Sequence, residues 1–188
     1  MLETDAPQPL TPDLATLVAL FYDSPPTLGS FDCVEARDMP LRFASLLAHE
    51  EHMTVTVERF HKSSVDVTVL DRQITPSHYA RKILLSRQSD GGVVQYGIMR
   101  VNFAYLEPIV RRQIEAEDTP LGRVLIQNNV LRRVHLASLW RVTAGEELAR
   151  LFDMTPGEIT YGRTALIMCN EEPAVELLEI VTPLADPT

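Results

Sequence analysis

The spacing of hydrophobic residues changes near residue 64. Before that point apolar residues recur every three or four positions, which predicts amphipathic helices over about 12–22 and from about 38–40 onward. Thr11-Pro12-Asp13 opens the first helix with a capping hydroxyl, a proline and an acid. After residue 64 apolar and polar residues alternate, as they do in strands that bury one face. We therefore predict a helical first third followed by a sheet.

Six strands are predicted in the second part of the chain. They span about 65–70, 79–85, 94–103, 131–142, 159–168 and 175–181. Helices are predicted between them at 106–115, after Thr119-Pro120 and at 145–152. Short turns such as Asp90-Gly91-Gly92 favour antiparallel pairing. The predicted fold is α+β, a single antiparallel six-stranded sheet with helices packed on one face. One domain spans 1–188, and residues 1–10 form a loose polar tail.

Composition and charge exclude several classes of protein. Hydrophobic residues make up 45% of the 188, as in an ordinary globular domain, and no apolar run approaches the roughly 20 residues of a membrane span. The net charge of −9 argues against a nucleic-acid partner. The acidic N-terminus does not resemble a secretory signal, and two cysteines are too few for a disulfide framework. We expect a cytoplasmic monomer or weak dimer that binds neither membrane nor nucleic acid.

One histidine-containing segment raises the question of a metal site. In His49-Glu50-Glu51-His52 the histidines stand three residues apart, which differs from the H-E-x-x-H spacing of zinc enzymes, and no third ligand is indicated. We interpret this segment as an exposed helix end. The sequence also contains no glycine-rich phosphate-binding motif. We therefore expect neither a metal nor a cofactor.

Two arginines within apolar strands are candidates for an anion site. Arg81 and Arg100 lie nearly opposite one another if Asp90-Gly91-Gly92 closes a hairpin, since they stand ten residues before and nine residues after Gly91. An inward guanidinium is costly unless an anion pairs with it, and arginine binds a carboxylate through two parallel hydrogen bonds. The alternative is that both arginines point to solvent from the outer face of the sheet.

A buried carboxylate is predicted in the last strand. Glu176 and Glu179 are separated by an odd number of residues, so their side chains face opposite sides of the sheet. The inward one either pairs with an arginine or has a pKa shifted for catalysis. Earlier in the chain, Thr119-Pro120-Leu121-Gly122-Arg123 looks like a turn into a helix. The free backbone N–H groups at the start of that helix could hold a carboxylate.

Together these segments resemble the chorismate pyruvate-lyase family, in order from about residue 50 to 183. The five matching pieces are His52-Met53-Thr54, Arg81-Lys82-Ile83-Leu84-Leu85, Thr119-Pro120-Leu121-Gly122-Arg123 followed by Leu125, Tyr161-Gly162-Arg163, and Glu179 four residues before Pro183. The third piece is the most distinctive. Met99-Arg100 departs from the Gly-Arg of the family, and about the first 50 residues do not match.

The resemblance implies a fold and a reaction. The family has a single antiparallel sheet whose product site lies under helical flaps, so residues 54–60, strand-like by propensity, are expected to be helical. The implied reaction converts chorismate into 4-hydroxybenzoate and pyruvate without a metal or cofactor. Substrate and product are then the small-molecule partners.

The resemblance also assigns roles to five residues. Arg81 would bind the ring carboxylate, assisted by the backbone N–H groups of Met53 and Leu121. The catalytic residues would be Arg100, holding the enolpyruvyl carboxylate, and Glu179, meeting the oxygen on C4. Glu179 would act either as the base that removes the C4 proton or as an anchor for the C4 hydroxyl, and the sequence leaves both roles open.

Two alternatives remain open. Effector-binding domains of some bacterial transcription regulators resemble the same fold, so the chain could be a non-catalytic sensor of an aromatic acid. The roughly 60 residues before the sheet are acidic and contain no basic recognition helix. A lyase that forms 3-hydroxybenzoate instead of the 4-isomer is the second alternative.

Overall fold

A seven-stranded antiparallel sheet forms the centre of the protein in the computed structural model, which describes residues 11–184. The strands are β1 Gly29–Val34, β2 Val65–Ile74, β3 His78–Arg87, β4 Val93–Asn102, β5 Arg132–Ala144, β6 Ile159–Cys169 and β7 Glu172–Val181. The helices are α1 Leu14–Ala19, α2 Leu41–Leu47, α3 Met53–His61, α4 Pro108–Glu115, α5 Leu121–Gln127 and α6 Glu146–Phe152.

The strand order places β7 in the middle of the sheet. The order is β1-β5-β6-β7-β4-β3-β2, and every pair is antiparallel. A two-residue turn joins β6 to β7, with Asn170 and Glu171 at φ 52° and 70°. Positive φ at both central residues is typical of the tight hairpin turns that match strand twist. Because β7 has a strand on each side, a side chain on its covered face is surrounded by protein.

The two faces of the sheet bury different helices. On one face α2, α3, α4 and α5 cover two hydrophobic clusters, built around Met99 and Leu177 and around Leu85 and Val181. On the other face α1 and α6 pack over a third cluster that includes Tyr96 and Leu178. Leu177 and Leu178 are adjacent in β7 and belong to different clusters, since successive side chains of a strand point to opposite faces.

The predicted fold class is confirmed, and the strand count is corrected. The sheet is single and antiparallel, and the four helices α2–α5 lie together on one face. The six predicted strands are β2–β7. The strand that was missed, β1, pairs with β5 at the edge of the described sheet and leaves half of its residues exposed. Its sequence begins with Gly29-Ser30 and contains Asp32, residues of low strand propensity, and its alternation of polar and apolar residues is too short to predict a strand.

The helix predictions need one adjustment at the start of the chain. The first helix begins at Leu14, and its cap is Asp13, whose carboxylate accepts a hydrogen bond from the Thr16 backbone N–H. Residues 54–60 are helical within α3, as the resemblance implied. The predicted tail at 1–10 lies outside the described residues. Within 11–184, no helix is long and apolar enough to cross a membrane.

Candidate functional site

A pocket lies between the covered face of the central strands and the beginnings of α3 and α5. It encloses about 550 Å³ of empty space, including its solvent-open mouth. Its polar lining comes from the strands and from α3. These polar side chains are His52, Thr54, Arg81, Gln95, Arg163 and Glu179, among apolar neighbours such as Ile83, Met99 and Leu177. The pocket is thus apolar with a few buried polar groups.

Arg81 is a buried cation without an ion-pair partner within residues 11–184. Its residue is 1% exposed on β3, its Nη1 donates to the Ile114 carbonyl oxygen at 3.3 Å, and its Nε has no hydrogen-bond partner among the described residues. Burial lowers the pKa of the Arg81 guanidinium, while nearby Tyr79 and Glu117 act in the opposite direction. An arginine remains charged even so. A buried charge with an unused donor is expected to bind an anion.

Arg163 and Glu179 form an ion pair at the centre of the sheet. Arg163 on β6 is fully buried, and its Nε donates to Glu179 Oε2 on β7 at 2.8 Å. The other nitrogens of Arg163 donate to the backbone oxygens of His49 and Glu51 at 2.8 and 3.0 Å. The guanidinium therefore neutralises Glu179 and also holds the loop between α2 and α3 against the sheet.

Two helix beginnings contribute backbone to the pocket. Met53 and Leu121 are the first residues of α3 and α5, both line the pocket, and neither helix has a side-chain cap. Gly122 permits this arrangement, because a Cβ atom at that position would stand 3.0 Å from Thr54 Oγ1. The first N–H groups of both helices are thus available to a bound molecule.

Arg100 does not share the pocket. Arg81 pairs with Met99 across β3 and β4, and Arg100 pairs with Ala80 and Glu176. The Arg100 side chain lies on the other face of the sheet and donates to Glu176 Oε2 at 2.5 Å. Its prediction as the holder of a second substrate carboxylate is corrected by this register, since residues one position apart on a strand face opposite sides.

A β-bulge explains why the two arginines are separated. Leu85 pairs with Gln95 and Ser86 with Val93, so Val94 is an extra residue in β4. Had the ladder continued from Ser86 and Val93 without the bulge, Arg81 would oppose Ile98 and Arg100 would share its face. The hairpin turn alone was therefore not enough to predict the register.

His52 also corrects the interpretation of residues 49–52 as an exposed helix end. It occupies the N-cap position of α3 without a capping side-chain hydrogen bond, lines the pocket and accepts a hydrogen bond from Arg132 Nε at 2.9 Å through its own Nε2. Burial and the charges of Arg132 and Arg163 lower its pKa to about 4. Within 11–184 no group of three or more His, Cys, Asp or Glu side chains could hold a metal ion. That no metal is needed stays a prediction.

We expect the neutral state of His52 to make folding sensitive to acid. Its folded pKa of about 4 lies below the ordinary 6.5, so the unfolded state binds more protons between these values. The contribution of neutral His52 to the free energy of unfolding is fully present above about pH 6.5. It is lost as the pH falls towards 4, at a cost of about 2–3 kcal/mol. Urea unfolding at pH 7 and pH 4.5 should show a smaller loss in His52→Asn than in the wild type. Equal losses would contradict this assignment.

The structure brings four of the five predicted site residues together. Met53, Arg81, Leu121 and Glu179 line one pocket, and Arg100 does not. Sequence reasoning missed Arg163, Gln95 and His52 as pocket residues. Arg163 could have been predicted in the same way as Arg81, because it is a single arginine in an apolar strand. It also belongs to Tyr161-Gly162-Arg163, one of the five segments that resemble the family. Gln95 was a single amide between apolar residues, which indicates little by itself.

Comparisons with known proteins show the fold. No protein-family model matches the sequence, and no curated protein matches it. The effector domain of PhnF from Mycobacterium smegmatis superposes with a TM-score of 0.50 at 10% identity, over 70% of this chain and 88% of that domain. At this identity the likeness shows that the two chains share an α+β fold.

Two further structures are similar to a comparable degree. A longer PhnF chain from the same organism gives a TM-score of 0.49 at 9% identity over 70% of this chain, which spans 63% of that PhnF chain. The ligand-binding domain assigned to a GntR-family transcriptional regulator from Bordetella bronchiseptica gives 0.49 at 14% identity, over 65% of this chain and 86% of that domain.

Proposed function

We propose that the chain is a binding domain for a small aromatic monocarboxylate of the hydroxybenzoate type. The observation that carries the proposal is Arg81, a residue that is 1% exposed in a largely apolar pocket and whose Nε has no hydrogen-bond partner among the described residues. A carboxylate would accept hydrogen bonds from it and remove the cost of burying it alone. The ring would lie against the apolar side chains that follow Arg81 along the sheet, including Ile83 and Leu177.

The balance of charge supports one carboxylate rather than two. Of the two arginines in the pocket, Arg163 is neutralised by Glu179, and Arg81 is the one without an ion pair in the described part of the chain. A dianion would therefore bring one carboxylate into a pocket that offers it no free cation. The uncharged far end of the ligand would meet Glu179, whose Oε1 is not used by Arg163.

A domain that only binds such an acid would act as a sensor. The effector domain of PhnF has the same fold. In this role the acid would link α3 and α5 to the sheet, because Met53 and Leu121 bring the first turns of both helices to the pocket. Ligand binding would then stabilise the helical cover on the sheet.

Chorismate pyruvate-lyase activity is the second candidate function. The observation in its favour is that Met53, Arg81, Leu121 and Glu179, quoted from four separate segments, line one pocket. The reaction would break the bond between C3 and the ether oxygen and remove the C4 proton. The electron pair of the C4–H bond makes the ring aromatic as the C3–O bond breaks, and the released enolpyruvate takes up a proton at its methylene carbon to become pyruvate. The residues would orient the ether and exclude water.

One experiment separates these functions. The purified chain is incubated with chorismate, products are identified by chromatography, and binding of 4-hydroxybenzoate is measured by calorimetry. Binding without turnover supports the sensor, and formation of 4-hydroxybenzoate with pyruvate supports the lyase. Formation of 3-hydroxybenzoate would identify a lyase of different regiochemistry. If the chain neither binds a benzoate nor converts chorismate, both proposals fail.

A further inference from the structure

Gln95 lines the pocket, and its buried amide oxygen has no hydrogen-bond partner in the described part of the chain. The residue is 3% exposed on β4, and its Oε1 is fully buried with no partner among residues 11–184. An unsatisfied buried amide destabilises a fold, since its hydrogen bonds to water are lost without replacement. Most buried polar groups in proteins are paired, so an unpaired one requires a specific explanation.

The surroundings of Gln95 give its amide no structural role. The nearby hydrophobic cluster includes Leu85 and Val181, which are the cross-strand partners of Gln95 on its two sides. A leucine at this position would suit such neighbours better than an amide. The polar group therefore faces a site where a bound molecule can supply the missing partner.

Strand register places Gln95 beside Glu179 and away from Arg81. Glu179 on β7 pairs with Gly97 of β4, which is two residues along β4 from Gln95. Arg81 on β3 pairs with Met99 of β4, which is four residues along β4 from Gln95. Diagonal neighbours on adjacent strands are about 7–8 Å apart. Four residues of strand span about 13 Å. The pocket thus has one cationic end and an opposite end with two polar side chains next to each other.

We infer that the ligand is a benzoate with polar substituents on two adjacent ring carbons, the para group at Glu179 and an uncharged meta group at Gln95. This inference rests on the proposed binding of an aromatic carboxylate at Arg81. Substituents on adjacent ring carbons are neighbours, as Glu179 and Gln95 are on adjacent strands, so that each substituent could make one hydrogen bond of about 2.8 Å to one of these side chains. The meta group is uncharged because the amide carries no charge and Arg163 is already paired with Glu179.

Calorimetry on the full chain with benzoate, 4-hydroxybenzoate and 3,4-dihydroxybenzoate tests the inference. The wild type is expected to bind the dihydroxy acid about five- to tenfold more tightly than the monohydroxy acid, the scale of one added hydrogen bond. In Gln95→Leu this preference should disappear, so that the two hydroxy acids bind with equal affinity. The control Gln127→Leu changes an exposed glutamine of α5 and should keep the wild-type preference.

Thermal unfolding without ligand distinguishes recognition from a structural role. Gln95→Leu should melt at a temperature equal to or above that of the wild type, because the substitution removes an unpaired buried amide. A lower melting temperature would show that the amide supports the fold and would overturn the inference. Equal affinity of the wild type for both hydroxy acids would overturn it and leave the proposed function standing. If no benzoate binds, the proposed function and this inference fail together.

Discussion

Replacing Arg81 by alanine is expected to abolish most of the affinity for 4-hydroxybenzoate. The substitution removes the buried cation that has no ion pair in the described structure, so the carboxylate would enter an apolar pocket without a partner. Losing one partner of a buried charge pair costs about 2–5 kcal/mol, which corresponds to a roughly 30- to 5,000-fold increase in Kd. Calorimetric titration of both proteins measures this ratio. If the chain is a lyase, kcat/KM for chorismate should fall by a similar factor.

Two further variants control for volume and for charge. Arg81→Met fills more of the space than alanine and should lose affinity by as much, since the charge is removed in both. Arg100→Met removes an arginine on the opposite face of the same hairpin, where it pairs with Glu176. It should leave ligand affinity unchanged. A Kd for Arg81→Ala within threefold of the wild type would show that another group binds the carboxylate.

The second large effect concerns stability. Glu179→Leu should lower the free energy of unfolding by about 3–5 kcal/mol, because it leaves the fully buried Arg163 guanidinium without its counter-charge. Urea unfolding at neutral pH measures the change. Glu176→Leu is the matched control on the same strand. Its ion pair with Arg100 is about one-quarter exposed, so the loss there should be about 1 kcal/mol or less.

A double variant tests the origin of this loss. Arg163→Met combined with Glu179→Leu removes both charges together and should recover most of the stability, since an apolar pair can replace a buried ion pair at little cost. A double variant as unstable as the sum of the single ones would contradict the ion-pair explanation. In that case, the instability of the double variant would come from the loss of the Arg163 hydrogen bonds to the loop between α2 and α3.

Glu179→Gln also separates the two roles that Glu179 could play in a lyase. If the carboxylate removes the C4 proton, turnover of chorismate should fall by roughly 10²–10⁴, with binding little changed. If it only anchors the C4 hydroxyl, the amide should substitute and the loss should be about tenfold or less. Turnover is compared after confirming that the variant remains folded, because the substitution also weakens the pair with Arg163. A variant with full turnover would exclude the role of Glu179 as the base.

Local patterns predicted much of the candidate site. Arg81 and Glu179 drew attention because a charged residue inside an apolar strand is unusual, and Leu121 because Thr119-Pro120 precedes a helix. These features depend on a few neighbouring residues and are therefore visible in the sequence. The pairing of Arg163 with Glu179 joins residues that are 16 positions apart on different strands. Nothing local to either residue indicates that partner.

The sequence by itself determined the periodicity of the helices and strands, and with it the fold class. It also determined which residues carry charge inside apolar segments. Only the tertiary structure decided which face each of those side chains occupies. The extra residue Val94 shifts the register of β4. As a result, the Arg100 side chain lies on the face of the sheet away from the pocket, while Arg81 lines the pocket. The physical reason is that side chains alternate along a strand, so a shift of one residue exchanges the two faces.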